Sequence, residues 1–404
     1  MKTLRIATIG VGAYENSRAR TYLKTIQKLN GLYTLCALCD HDQQALEAVG
    51  SKLNVGALYN DVEEMLVEEK PEVVFVLIPT DGQSVMALTA AGHKCNIITE
   101  IPYAITLPIG DAISGACMEN GVKWEIAENV WLWPHERLKR EIVRSGSIGE
   151  IIHSRLWYTS GPYHGFNAIR NLMGCDVKRV LGYAQLVEAL PYTSYGGTSE
   201  EASWWENGNI EFEDGTVCLY EKPPIAGARG SRWEIEGTRG YLAGNGVNDE
   251  LVLKGDNGQV SYPFKDIYEQ WTNGEKVLAS VRVDTEPPLV WDNPFKDENV
   301  SDFDDVAKAG ILHSLHRAVT EEVELGYGAR NARRDMEIWL AIRESARKGS
   351  SWVDLPLKGV TELEELALTQ YVRRYGHDPI TETSSLLSTP FDRLSVMWTL
   401  AGFL

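Results

Sequence analysis

The chain opens with an apolar run, residues 3–9 (LRIATIG), that ends in Gly10-Val11-Gly12 and a polar turn. Over 16–29 the apolar residues Tyr22, Leu23, Ile26 and Leu29 recur at helical spacing. A strand followed by an amphipathic helix is therefore predicted. The alternation then repeats. Residues 32–40 (LYTLCALCD) read as a second strand ending in Asp40, followed by helical QQALEAVGSKL, a short strand ALY and helical DVEEMLVEEK. Residues 72–79 (EVVFVLIP) are almost continuously apolar, the pattern of a strand covered on both faces. Helical SVMALTAAGH, a strand at 95–100, a helix at 108–120 and a strand at 122–128 complete the series. Strands alternating with helices predict a doubly wound parallel sheet, an α/β Rossmann-type domain over residues 1–128.

Beyond residue 129 the rhythm changes. HERLKREIVRSG and GFNAIRNLMG are helical, and between and after them come longer alternating runs: EIIHSRLWYT, VLGYAQLVEAL, NIEFE, TVCLYEK, RWEIEG and ELVLKG. Period-two alternation punctuated by glycine turns predicts a large, mainly antiparallel open sheet with helices on one side, an α+β domain over 129–357. The Pro- and Asp-rich stretch 284–305 reads as a long surface loop, with helices at 306–326 and 331–348 after it. Residues 358–404 form a C-terminal extension with helical TELEELALTQYVRRYG and a mixed apolar segment.

Composition narrows the function. The chain has 404 residues and a formal net charge of −18. Such a charge repels phosphate backbones and anionic lipid, so nucleic acid and membrane surfaces are excluded as partners. The N-terminal apolar run is brief and broken by two glycines, so it is read as a strand and not a leader, and a cytoplasmic location is expected. No apolar run approaches the ~18 residues of a membrane span. Of six cysteines, Cys36 and Cys39 are spaced as a redox or zinc pair, yet they lie on a strand pattern and no second pair accompanies them. Buried free thiols are expected, and no metal site.

Gly10 and Gly12, after a strand and before a helix, form half of a dinucleotide fingerprint: one permits the tight turn, the other lets the backbone approach a pyrophosphate. The third small residue is replaced by Glu15, which would repel phosphate if it pointed inward. Asp40, at the end of the second strand, is placed to accept ribose hydroxyls and to repel a 2′-phosphate, which favours NAD over NADP.

The ordered set of Gly10-x-Gly12, Asp40, Pro79 and Glu100-x-Pro102, followed by an α+β domain, resembles the glucose–fructose oxidoreductase, inositol dehydrogenase and rhizopine-catabolism (Gfo/Idh/MocA) family. GSIGEI (146–151), EIEGTRGYLAGNG (234–246) and 335–357 fit as well, and the tail beyond 357 has no counterpart. The resemblance implies NAD contacts from Gly10, Gly12, Ala13, Tyr14, Asp40, Pro79, Thr80, Glu100, Ile101, Pro102 and Asn129. It also implies an oligomer, a dimer or tetramer, formed through the second domain's sheet, with Trp204-Trp205 as an interface feature.

Two departures stand out. Such proteins carry a lysine between Glu100 and Pro102, and here it is Ile101. Their second signature, Asp-x-x-x-His-x-x-Asp, falls on Ser160, His164 and Asn167, so the histidine stays and both acids are lost, while Arg170 matches a common helical arginine. His164 is then the expected acid/base, with Tyr163, Tyr103 and Glu128 as further catalytic candidates. Trp131 and Trp133 would form an aromatic wall for a carbohydrate face, with Asn167 also toward substrate. Three readings follow: an NAD-dependent oxidoreductase of a sugar or sugar derivative; an NAD-dependent glycoside hydrolase or lyase that oxidises, eliminates and re-reduces without net NADH; and a redox-inactive nucleotide-binding regulator.

Overall fold

The computed structural model describes residues 2–193, 199–225, 229–256, 258–271 and 274–399. The chain forms two compact units. Of the described residues, one unit comprises 2–128, 308–333 and 362–399; the other comprises those of 129–307 with 334–361.

The first unit starts as β1 (Leu4–Ile9), α1 (Arg18–Lys28), β2 (Tyr33–Cys39), α2 (Gln43–Leu53), β3 (Leu58–Tyr59), α3 (Val62–Glu69), β4 (Val73–Val76), α4 (Thr80–Gly92), β5 (Asn96–Thr99), α5 (Leu107–Asn120) and β6 (Trp124–Ile126). Its six strands are all parallel, in the order β3-β2-β1-β4-β5-β6. The order reverses between β1 and β4, the switch point where such sheets bind ligands. Every residue of β4 is buried, which is why its sequence reads as one apolar run. On one face Val11, Leu23, Leu38, Leu46 and Val49 pack as a cluster.

The second unit begins with α6 (Pro134–Arg144), β7 (Ile151–Trp157), α7 (Pro162–Met173), β8 (Val177–Thr193), β9 (Ser199–Phe212), β10 (Val217–Lys222), β11 (Arg232–Gly237), β12 (Gly240–Gly244), β13 (Glu250–Gly255) and β14 (Gly258–Pro263). Then come β15 (Lys265–Gln270), β16 (Lys276–Val283) and β17 (Leu289–Asp292). The last third adds α8 (Phe303–Thr320), α9 (Gly328–Arg347), β18 (Val353–Asp354), α10 (Glu362–Tyr375) and α11 (Val396–Thr399). A nine-stranded sheet runs β14-β13-β12-β11-β7-β10-β9-β8-β18, antiparallel except where β7 meets β10.

Three expectations are corrected. Strands β15–β17 form a separate three-stranded antiparallel sheet, and β17 lies inside the stretch read as a loop, with Trp291, Phe295 and Val300 buried. Residues 308–333 belong to the first unit and not to a 129–357 domain, because they supply buried partners there. Tyr33 donates to the Leu312 carbonyl at 2.7 Å, His316 Nε2 meets the Lys2 carbonyl at 2.7 Å, and Glu125 receives Ser314 Oγ and the Gly328 N–H. The segment after 357 is not a free-standing extension: Glu364 accepts from the Leu107 N–H at 2.8 Å, and residues of the tail surround Asp81. Among the described residues no helix is long and apolar enough to cross a membrane.

Candidate active site

The turn after β1 admits only glycine at two positions. Gly10 has φ +97°, and a Cβ there would lie 2.5 Å from the Leu77 carbonyl oxygen. Gly12 has φ +76°, and its Cβ would meet Ser17 Oγ at 2.1 Å. Ser17 caps α1, so the helix begins at Arg18, later than the sequence suggested. Ala13 and Tyr14 are exposed in the intervening turn. Asp40 stands beside this loop: Oδ2 accepts the Val11 N–H at 2.8 Å and Oδ1 the Asp42 N–H at 3.0 Å. A side-chain-free cradle bordered by a carboxylate at the end of β2 fits the diphosphate and adenosine ribose of a dinucleotide.

Glu15 does not face that cradle. It is exposed and pairs with Lys52 at 2.6 Å, Lys24 at 3.0 Å and Arg20 at 3.6 Å. Hydrogen bonds from Lys52 and Lys24 hold its carboxyl down at about 2. The bulky acid at the third glycine position is thereby turned to solvent and neutralised.

Pro79 and Thr80 begin α4, directly after β4, and are half-buried. Glu100 follows β5, and its Oε1 accepts from Arg18 Nε at 3.0 Å. This pair ties the Glu100–Ile101–Pro102 loop to the first turn of α1. Ile101 offers no donor beyond its backbone. Tyr103 is not a catalytic group. Its ring packs on Gly110, where a Cβ would lie 2.0 Å away, and stacks on Trp124 at 5.2 Å. Its hydroxyl is committed to Asp111 at 3.0 Å and Ser114 at 3.3 Å, and burial raises its pKa.

Glu128 closes the first unit with its side chain fully buried. In β6, Glu125 is likewise buried, and desolvation lifts its carboxyl to about 7 against the bonds from Ser314 and the Gly328 N–H.

In the second unit, Asn129 donates to Asp304. Trp131 lies buried in a 3-10 turn beneath the Arg140 guanidinium, 5.2 Å from the ring centre, so it is packing and not a wall for ligand. Trp133 remains half-exposed and begins an aromatic series. It lies 6.5 Å from Trp233, which is 5.9 Å from Tyr158, which is 5.9 Å from His164. Tyr163 flanks His164 on the other side at 4.8 Å. His164 sits in the first turn of α7, which Pro162 begins, and is half-buried. Asn167 is fully buried, donates to Asp335 at 3.4 Å and so ties α7 to α9 rather than facing a substrate. Arg170 joins the same carboxylate at 2.7 Å.

Sequence reading missed Tyr158, Asp335 and Lys222. Tyr158 follows the last residue of β7 and is buried between the rings of Trp233 and His164. Lys222 ends β10, is 7% exposed, and burial lowers its pKa. The neighbouring Glu206 is held below the usual carboxylate range by Arg343 despite burial. Nothing in the local pattern TVCLYEK distinguishes that lysine from a surface one.

The chain is similar to several known proteins. Residues 4–127 match the model described as "Oxidoreductase family, NAD-binding Rossmann fold". A D-apiose dehydrogenase of Paraburkholderia graminis is 28% identical over 160 residues, 40% of this chain and 41% of that one. The chain thus spans about two fifths of that relative's length. A glycosyl hydrolase family 109 protein of Shewanella pealeana is 25% identical over 167 residues, 39% of this chain and 36% of the other. Among solved structures, a levoglucosan dehydrogenase in complex with NADH and levoglucosan superposes with a TM-score of 0.69 at 17% identity, covering 88% of this chain and all of that one. Residues 4–127 thus match the Gfo/Idh/MocA oxidoreductase family's model, an NAD-binding Rossmann fold.

Proposed function

We propose that this protein is an NAD-dependent oxidoreductase of a sugar or sugar derivative, with His164 as the acid/base. Two observations support it best, each within its own unit: the Gly10–Gly12–Asp40 cradle in the first, and in the second a helix-borne histidine framed by Tyr158 and Tyr163. Bound NAD supplies a hydride acceptor. The chain supplies the rest. The glycine backbone admits the diphosphate, Asp40 accepts ribose hydroxyls, and Pro79, Thr80, Glu100 and Pro102 line the loops after β4 and β5. His164 takes the proton of the hydroxyl being oxidised, and Glu128 is the reserve carboxylate for that step. Trp133, half-exposed, offers an apolar face of the kind that packs against carbohydrate C–H groups, and buried Trp233 supports it from behind.

A second reading is favoured by one residue. Ile101 stands where the family resemblance implies a proton-accepting lysine, which suits a cycle of oxidation, elimination and re-reduction on a glycoside with no net NADH. The family 109 hydrolase named above shows such a name within reach of this sequence. We also assign the outer face of the nine-stranded sheet to a homo-oligomer. Trp205, Tyr183 and Leu219 lie there, whereas strand alternation turns Trp204 inward.

The test is His164→Ala. An acid/base group contributes about two to four decades in rate. Turnover should fall by that amount while melting temperature and NAD affinity stay unchanged. Retained turnover would remove His164 from the role.

A further inference from the structure

We propose that the tail segment between α10 and α11 is a strap across the dinucleotide loops, and that its Arg393 is a further cofactor-binding residue directed at the diphosphate. This rests on the reading of the first unit as an NAD site.

The strap is anchored at the start of α4. Asp81, in that helix's first turn, is fully buried and is surrounded by donors from the tail: Tyr375 Oη at 2.9 Å, Ser395 Oγ, the Val396 N–H at 3.2 Å and Arg374 Nη1 at 3.5 Å. Arg374 also donates to the Leu394 carbonyl at 2.7 Å, and Tyr375 Oη receives the Asp392 N–H at 3.3 Å. Phe391 lies on Gly82, where a Cβ would come within 2.4 Å of its ring. A glycine within a helix costs stability relative to alanine, and at Gly82, in the first turn of α4, Phe391 uses the space. A buried carboxylate with this many donors and a ring seated on a glycine fix the path of 391–396.

That path carries Arg393 to the other loop. Its guanidinium carbon lies 5.7 Å from the ring centre of Tyr14, in the turn between Gly12 and α1. The strap therefore touches both the loop after β1 and the loop after β4, the adjacent strands at which the sheet order reverses. Ligands of such sheets bind at that crevice.

Charge argues for the occupant. The other cations near the loop are already matched: Arg18 by Glu100, and Arg20, Lys24 and Lys52 by Glu15. Arg393 is exposed and has no ion pair among the described residues. In a chain of net charge −18 it is a cation placed beside a glycine cradle, which suits an anionic diphosphate.

Titration calorimetry of cofactor-free protein with NAD, ADP-ribose and adenosine tests this in the intact chain. Arg393→Ala, at an exposed position, should weaken NAD and ADP-ribose about tenfold, the effect of one charge-assisted bond partly screened by solvent. Adenosine, which lacks the diphosphate, should bind as before. Arg393→Lys should recover most of the loss, and added salt should shrink the difference. NAD binding equally well to Arg393→Ala and the parent protein would overturn the strap's role while leaving the NAD site standing. Equal loss of adenosine would show that Arg393 only shapes the loop. Absence of NAD binding to the parent protein would overturn both readings.

Discussion

Replacing Asp40 by Asn should narrow the protein's preference for NAD over NADP. The Asp40 carboxylate is 12% exposed and is held beside the glycine loop by the Val11 and Asp42 N–H groups. A 2′-phosphate on the adenosine ribose would meet it as a like charge. At about 4 Å, and an effective dielectric constant between about 20 and 80, each pair of unit charges costs about 1–4 kcal/mol. NADP should therefore bind one to three decades more weakly than NAD, by roughly 1.4 kcal/mol per decade. Asn keeps the size and one acceptor but removes the charge, so the NAD-to-NADP affinity ratio should fall to within about tenfold. Asn can satisfy only one of the two N–H groups, so a modest drop in melting temperature is also expected. The ratio is insensitive to that drop, because both dinucleotides meet the same altered loop. Calorimetric titration of the parent and the Asp40→Asn variant with each cofactor measures it. Tighter binding of NADP by the parent protein, or an unchanged ratio in the variant, would refute the reasoning.

Glu125 predicts a pH dependence of folding. Its carboxyl lies at about 7 in the folded protein against 4.5 when free, mainly through burial. Between those values the native state holds the extra proton, so stability falls as pH rises from about 4.5 to 7 and is level above. Glu125→Gln should remove that slope and raise stability at pH 8 by up to about 3 kcal/mol, read by denaturant melts. Tyr103→Phe should lower stability by about 1 kcal/mol through the lost Asp111 and Ser114 bonds and leave turnover intact. Ile101→Lys should raise steady NADH formation with free sugars, because it restores a proton acceptor; an unaltered rate would show that His164 already suffices.

The first unit was legible because its central strands β1, β4 and β5 are almost wholly buried and helices such as α1 bury one face, so apolar runs and helical periods alternate. The places of Gly10 and Asp40 were legible for a related reason: each follows the end of a strand. Strand β15 was not, since all six of its residues are exposed and carry no apolar rhythm. Strand β17 was hidden by the Pro- and Asp-rich sequence around it. The return of α8 to the first unit depends on partners such as Tyr33–Leu312, 279 residues apart, which no local window contains. The site was half legible. The register points to His164, which the structure places half-buried between Tyr158 and Tyr163, whereas Trp131 and Asn167 are buried and the Tyr103 hydroxyl is bonded to Asp111 and Ser114. Residue type suggested ligand contacts for these three, and tertiary packing decided otherwise. Tyr158 and Lys222 went unnoticed because their burial depends on distant partners and not on the local pattern.

The central claim is that this chain moves a hydride between a carbohydrate and bound nicotinamide. The most direct measurement is rapid mixing of the NAD-loaded protein with a panel of pyranoses and pyranosides, following the near-ultraviolet absorbance of reduced nicotinamide. The account predicts at least one carbohydrate that reduces the bound cofactor in a single turnover, with the signal abolished in His164→Ala. It would persist if the sugar is simply oxidised, and decay without NADH release if a glycoside is cleaved. A cofactor that binds and stays oxidised with every carbohydrate tested would contradict the account and favour a redox-inactive nucleotide-binding protein.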